Sequence, residues 1–146
     1  MQEDRINALI PLQGLLCYQF KDLELLNKSL THKSYSNEVP LSLKNNERLE
    51  FLGDSVLDLI VADYMFLTYQ GLPEGSLSKI RAAVVNENSL AGLAKKLQLG
   101  SYILLGKGES FSGGGQKASI LANAYEALVG ALFCDSDFRT TADVFL

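Results

Sequence analysis

Glu47, Glu50 and Asp54 are spaced three and four residues apart. At roughly 100° of rotation per helical residue they fall within about 60° of one another. Asp58 extends the stripe by one more turn, about 20° round from Glu47. Leu49, Leu52 and Val56 gather on the opposite side, leaving a face where negative charge collects with no Lys or Arg between the acids. Like charges one turn apart oppose an isolated helix by roughly 0.2–0.5 kcal/mol per pair. Such a face either meets water or holds a cation.

A second group raises the stakes. Asn123 and Glu126 sit three residues apart among Ile120, Leu121, Leu128, Val129 and Leu132. That background predicts a largely buried helix, and a buried Glu needs a partner or a metal. Glu50, Asp54, Asn123 and Glu126 together would make an all-oxygen site, suited to Mg²⁺ or Mn²⁺ rather than zinc. A di-iron bundle would need a Glu-x-x-His motif from each of two helices, whereas the only histidine, His32, lies outside both acidic segments. His32 reads as a hydrogen-bonded structural residue rather than an acid–base catalyst. Cys17 and Cys134 lie far apart with no metal-ligand spacing, and are expected as buried free thiols.

Helical periodicity dominates the elements that must position these residues, and the β-branched runs at Ala82–Val85 and Tyr102–Leu105 are too short to found a sheet. The chain reads as all-α. The first helix is expected over about residues 3–17, with Pro11 breaking or kinking it, and the second over about 22–30 from an Asp22 N-cap. A polar stretch with Pro40 follows at 31–45. The acidic stripe then rides a long helix from near Asn46 to about Tyr69, ended by Gly71-Leu72-Pro73. Two more helices cover Ser76–Asn86 and Glu87–Leu97, with Gly100 closing the second. Gly106–Lys117 reads as a flexible Gly-rich loop. A helix over about Ala118–Cys134 carries Asn123 and Glu126, and a last helix begins near Asp137 or Phe138 without a stop signal, which suggests a domain cut from something longer.

With 146 residues and 47% hydrophobic content, the chain is expected to form one domain with a real core. Asp58 and Asp63 interrupt the longest apolar stretch, and Glu3, Asp4 and Arg5 precede Ile6, so neither a membrane span nor a signal peptide is read. A soluble cytoplasmic protein is expected, with no membrane partner. The net charge of −4 argues against nonspecific electrostatic binding of nucleic acid by the surface alone. The Gly-rich loop lacks the Gly-Lys-Ser/Thr ending of a nucleotide-binding loop, so no nucleotide cofactor is expected. It is either a mobile RNA-facing loop carrying Lys107 and Lys117 or a plain connector. Lys79 and Arg81 are either solvated helix charges or phosphate contacts.

The run Asn46-Glu47-Arg48-Leu49-Glu50-Phe51-Leu52-Gly53-Asp54-Ser55-Val56-Leu57 resembles the signature of the ribonuclease III family. The likeness continues in Leu30–Ser34, Ser78–Ala82, Leu104–Glu109 and Ser119–Ala131, so it covers nearly the whole chain. It implies a helical endonuclease domain over residues 1–146, working as a two-fold homodimer on double-stranded RNA with Mg²⁺, for which Mn²⁺ substitutes. The metal-binding acids of the family match Glu50, Asp54 and Glu126, with Asp54 and Glu126 as the expected catalytic pair. Glu47 matches an acid at the dimer and RNA surface, and Phe51 an aromatic that packs into the partner. RNA processing is the implied role, on ribosomal RNA precursors or structured messenger RNA, leaving 5′-phosphate and 3′-hydroxyl ends.

Asn123 departs from the pattern, because most family members carry Asp there. Its amide oxygen can still ligate a metal, with one negative charge fewer. The C-terminal double-stranded RNA-binding domain usual in bacterial members has no counterpart in this chain. A catalytically silent RNA-binding or dimerisation module of the same fold is the rival reading.

Overall fold

The computed structural model describes residues 1–39 and 44–146, and the expected Pro40 break lies outside them. Ten α-helices form the described part: α1 (Glu3–Ala8), α2 (Ile10–Leu16), α3 (Leu23–Ser29), α4 (Lys33–Glu38), α5 (Glu47–Thr68), α6 (Glu74–Val84), α7 (Glu87–Lys96), α8 (Lys107–Phe111), α9 (Ala118–Asp135) and α10 (Phe138–Phe145). The all-α expectation holds, and extended pairing among the described residues is a single parallel bridge between Thr31 and Leu104.

Local chemistry explains most boundaries. Pro11 stands at the start of α2, where its missing N–H is harmless, and the one expected helix splits at Leu9. Asp22, Asn86 and Asp137 each cap a helix by accepting a backbone N–H, from Glu24, Ser89 and Thr140 respectively.

Four expectations need correction. Within the stretch read as merely polar, α4 forms because His32 accepts the Ser34 N–H as its N-cap. The Gly-rich segment is not a flexible loop throughout but contains α8, whose start is pinned from a distance. There Gly106 N–H donates to Ser34 Oγ at 2.9 Å, and Lys107 N–H donates to both Glu38 carboxylate oxygens. Gly100 does not close α7, since Gln98 takes the left-handed conformation at φ 56. Gly100 instead permits tight packing, because a Cβ there would overlap the carbonyl oxygen of Gly115. Finally, Cys17 and Cys134 are exposed rather than buried. Cys17 caps α2 in a left-handed turn and Cys134 lies in the last turn of α9, both where the chain leaves the core.

The core is built around α9. Between Ile120 and Leu132 every residue is buried except Asn123 and Glu126. Helix α5 lies against it, burying Leu49, Gly53, Val56, Leu57 and Ile60, while α7 adds Leu90, Ala91 and Ala94. The two long helices touch backbone to backbone. A Cβ at Gly53 would overlap the Glu126 carbonyl oxygen and come within 2.9 Å of the Gly130 amide nitrogen, and one at Gly130 would overlap the Leu49 carbonyl oxygen. The edge-to-face pair Tyr125–Phe145, with centroids 5.5 Å apart, seats α10 on α9.

The crossing predicts an asymmetry between two helical glycines. Gly53→Ala should lower stability by about 3 kcal/mol through backbone overlap, whereas Gly75→Ala, whose added methyl meets nothing within 4 Å, should be neutral or slightly stabilising. Urea unfolding of the two variants checks it, and equal midpoints would contradict the tight crossing.

Candidate functional site

One turn of α5 and one turn of α9 face each other across the glycine contact. Because Gly53 lies between Glu50 and Asp54, and meets α9 at the Glu126 carbonyl, the crossing itself sets the two acidic groups side by side. Glu47, Glu50, Phe51, Asp54, Asn123 and Glu126 all line one open cavity of about 760 Å³. The mouth is completed by His32, Lys33, Asn46, Glu109, Lys117, Ser119 and Ile120.

The start of α5 is held firmly. Buried Asn46 donates through Nδ2 to the Ser29 carbonyl at 3.1 Å, and its own N–H donates to the Thr31 carbonyl at 2.9 Å. The same short segment binds the far wall, since His32 N–H donates to Leu104 O and Leu104 N–H donates to Leu30 O. Residues 29–32 thus tie the first turn of α5 to the strand-like approach to α8. Asn45 Oδ1 accepts the Glu47 N–H at 3.0 Å, supplying the cap that Asn46 does not.

Electrostatically the cavity is crowded with like charge. Burial pushes the Glu126 carboxyl up to about 8, aided by a shared hydrogen bond with Asp54 and by the charges of Asp54, Glu50 and Asp58. Glu50 also lies above its usual range, through burial first and then Glu47 and Asp54. Burial and Asp54 raise Asp58 as well, while Arg81 opposes that shift. Among the described residues no Lys or Arg forms a salt bridge to Glu50, Asp54 or Glu126.

That donor set fits a hard divalent cation. Four oxygen-bearing side chains from two helices converge, and positive charge is what relieves the raised carboxyls. Among the described residues no three His, Cys, Asp or Glu side chains are drawn together closely enough to hold an ion as they stand. Holding a cation there would take a rearrangement of these side chains.

The remaining expected residues are distributed differently. Lys117 reaches the cavity mouth but is paired, with Nζ 2.6 Å from Glu109 Oε2, and Ser112 Oγ donates to the same oxygen. Lys107 is exposed on α8 outside the cavity, and Lys79 is exposed on α6. Arg81 lines a separate groove of about 400 Å³ between α5 and α6, with Leu59, Phe66 and Leu77. Phe51 is 80% exposed at the cavity edge. His32 is hydrogen-bonded as expected: its Nδ1 accepts the Ser34 N–H and lies 2.8 Å from Ser34 Oγ. Burial holds its pKa below the ordinary value.

Glu109 and Lys33 were not legible as wall residues. Glu109 sits in a stretch whose helix depends on contacts with α4, so no local pattern aims it at the carboxylates. Asn46 and Ser119 could have been found, since each begins a motif that carries the acids.

Comparison with known proteins gives a consistent result. The family model described as Ribonuclease-III-like matches residues 22–146. Ribonuclease 3 of Borreliella burgdorferi is 53% identical over 128 residues, covering 88% of this chain and 52% of that protein. The Ribonuclease 3 of Enterococcus faecalis is 55% identical over 117 residues, covering 80% and 51% respectively. The chain spans about half the length of these curated relatives. Among solved structures, the ribonuclease III nuclease domain of Campylobacter jejuni, described as flexible in a region involved in dimer formation, superposes with a TM-score of 0.88 at 46% identity. That match covers 93% of this chain and 92% of the Campylobacter one. With the acids of its signature helix facing Asn123 and Glu126 of α9 across a glycine contact, and so matched in sequence and shape, the chain belongs to the ribonuclease III family.

Proposed function

We propose that this chain is the catalytic part of a cytoplasmic endoribonuclease that hydrolyses double-stranded RNA as a homodimer. The observation that carries the reading is the convergence of Glu50, Asp54, Asn123 and Glu126 on one cavity, with Glu126 pushed up to about 8 by burial and by the neighbouring acids. Oxygen atoms of these four side chains would hold Mg²⁺, or Mn²⁺ in its place. A divalent cation bound there supplies the charge that activates a water for in-line attack and stabilises the leaving 3′ oxygen, giving 5′-phosphate and 3′-hydroxyl products.

The chain's own groups do the rest. Glu126, raised to about 8 beside Asp54, holds a proton at neutral pH without metal, so it can release that proton when a cation arrives and can handle protons near the attacked phosphate. Lys117, held by Glu109, stands at the mouth where a phosphate would approach. Asn123 offers an amide oxygen and weakens the charge of the set without removing a ligand.

Dimerisation is supported by an apolar stripe on α5. Phe51, Leu59 and Phe66 are 80%, 56% and 70% exposed, and fall within about 80° on one side of the helix. Helix α6 beside it buries none of its residues in the single chain. A partner covering this face would remove a large apolar patch from water. Two centres related by a two-fold axis would then address opposite strands of one A-form duplex, recognised by shape, phosphates and 2′-hydroxyls. Ribosomal RNA precursors and structured messenger RNA are the substrates this reading favours.

Incubation of a labelled RNA duplex with Mg²⁺, Mn²⁺ or EDTA tests the activity. Wild type should cleave with either metal and not with EDTA. Glu126→Gln should lose more than the roughly 10–100-fold that follows from removing a mere outer partner of a metal ligand. Intact RNA in every wild-type lane would favour the silent module. Asn123→Asp should keep cleavage and raise the affinity for Mn²⁺ about tenfold by restoring one charge, measured by calorimetric titration; unchanged affinity would remove Asn123 from the ligand set.

The proton on Glu126 predicts an inverted pH response. In the folded protein this carboxyl titrates at about 8, against an ordinary value of 4.5 for the unfolded chain. Throughout that interval the folded state binds the extra proton, so stability falls as pH rises. His32, held below 6.5 by burial, gives the opposite slope below that pH, so the window above 6.5 is free of it and Glu126 dominates there. There the melting temperature without metal should fall with pH by an amount equivalent to about 1 kcal/mol, after allowance for the water that screens this half-buried group. Saturating Mg²⁺ or the Glu126→Gln substitution should flatten the slope, and a slope that survives both would place the titrating group elsewhere.

A further inference from the structure

Helix α8 serves the cavity with one side only. Glu109 and Lys117 form the mouth. Phe111, two residues on from Glu109 and therefore about 200° round the helix, is 92% exposed. Lys107, four residues before Phe111, shares its outward side and is also exposed. Among the described residues neither side chain takes part in a hydrogen bond, an ion pair or an aromatic pair.

Nor is this a loose tip. The N-terminal end of α8 is fixed by the Gly106 and Lys107 amides on Ser34 and Glu38. Its C-terminal end is closed by Ser112 N–H to Gly108 O at 3.1 Å and by Gly113 N–H to Ser110 O at 3.1 Å, with Gly113 at φ 81. The Glu109–Lys117 pair braces the cavity side. Phe111 is presented by a hydrogen-bonded helix only five residues long, so its ring stands one helix diameter, roughly 10–12 Å, from the side that lines the mouth.

We propose that Phe111 and Lys107 form a stacking contact for an unpaired nucleotide next to the duplex being cleaved, so that this chain favours RNA stems interrupted by loops or bulges. The inference rests on the double-stranded RNA reading of the cavity and extends it to substrate choice. Three features select this occupant. Lys107 complements a phosphate. The ring lies on an element continuous with the cavity wall, so a duplex bound at the carboxylates passes α8. In an intact duplex the base faces are already stacked on one another, so an aromatic side chain finds a free face only where pairing stops.

The chain contains no tryptophan, so Phe111→Trp would introduce a single fluorophore at the proposed contact. With Ca²⁺ in place of Mg²⁺, a hairpin carrying an internal loop should quench Phe111→Trp emission, and a fully paired duplex of equal length should not. Phe111→Ala should weaken binding of the looped hairpin roughly fivefold to tenfold and leave the paired duplex unchanged. Lys107→Ala should reduce the salt dependence on the looped RNA by about one phosphate contact. Equal quenching by both RNAs, or none by either, would overturn the proposal. So would an emission shift that follows protein concentration without RNA, which would place the ring against a second copy of the chain. These readouts are binding measurements, so an uncleaved duplex would count against the nuclease reading and leave the stacking result to stand or fall separately.

Discussion

The contact between α5 and α9 at Gly53 and Gly130 is the constraint on which the molecule is organised. Backbone touches backbone there, with no side chain between. An interposed methyl would separate the helices and also move Glu50 and Asp54 away from Asn123 and Glu126, since these four residues flank the crossing by one helical turn. The fold and the site are therefore set by the same close approach, and neither can be changed alone.

This arrangement concentrates negative charge beside the most deeply buried helix of the core. Helix α9 is encased from Ile120 to Leu132 apart from the two polar residues of the site. Its C-terminal end is secured by Asp135, which accepts from the Tyr18 hydroxyl and from the Lys21 and Asp22 amides. On that scaffold burial comes first in raising the Glu126 carboxyl to about 8, and the stored repulsion of Asp54, Glu50 and Asp58 adds to it. A divalent cation is the natural complement to that stored repulsion. Asn123 lowers the charge density at the same point.

Much of the helical layout follows from local pattern, because caps and periodicity act within a few residues. The Asp22 cap, the long helix carrying the acids and the apolar helix around Glu126 all appear where their side chains predict. What failed had distant causes. Helix α8 exists through Ser34 and Glu38, which lie about seventy residues earlier in the chain. Gly100 is held for Gly115, not for the end of α7. The exposure of both cysteines depends on where two helices leave the core.

By itself the sequence determined the chemistry on offer: a stripe of acids, a second acid in an apolar helix, oxygen ligands without zinc-binding partners, and a motif dense enough to mark a family. Only the tertiary structure decided that these acids share a cavity, that Lys117 is occupied by Glu109 while Lys79, Arg81 and Lys107 stand outside it, and that Phe111 is left open to water. The reason is physical. Residue type and spacing fix which face of a helix a group occupies, whereas the partner it meets depends on how closely two backbones can approach.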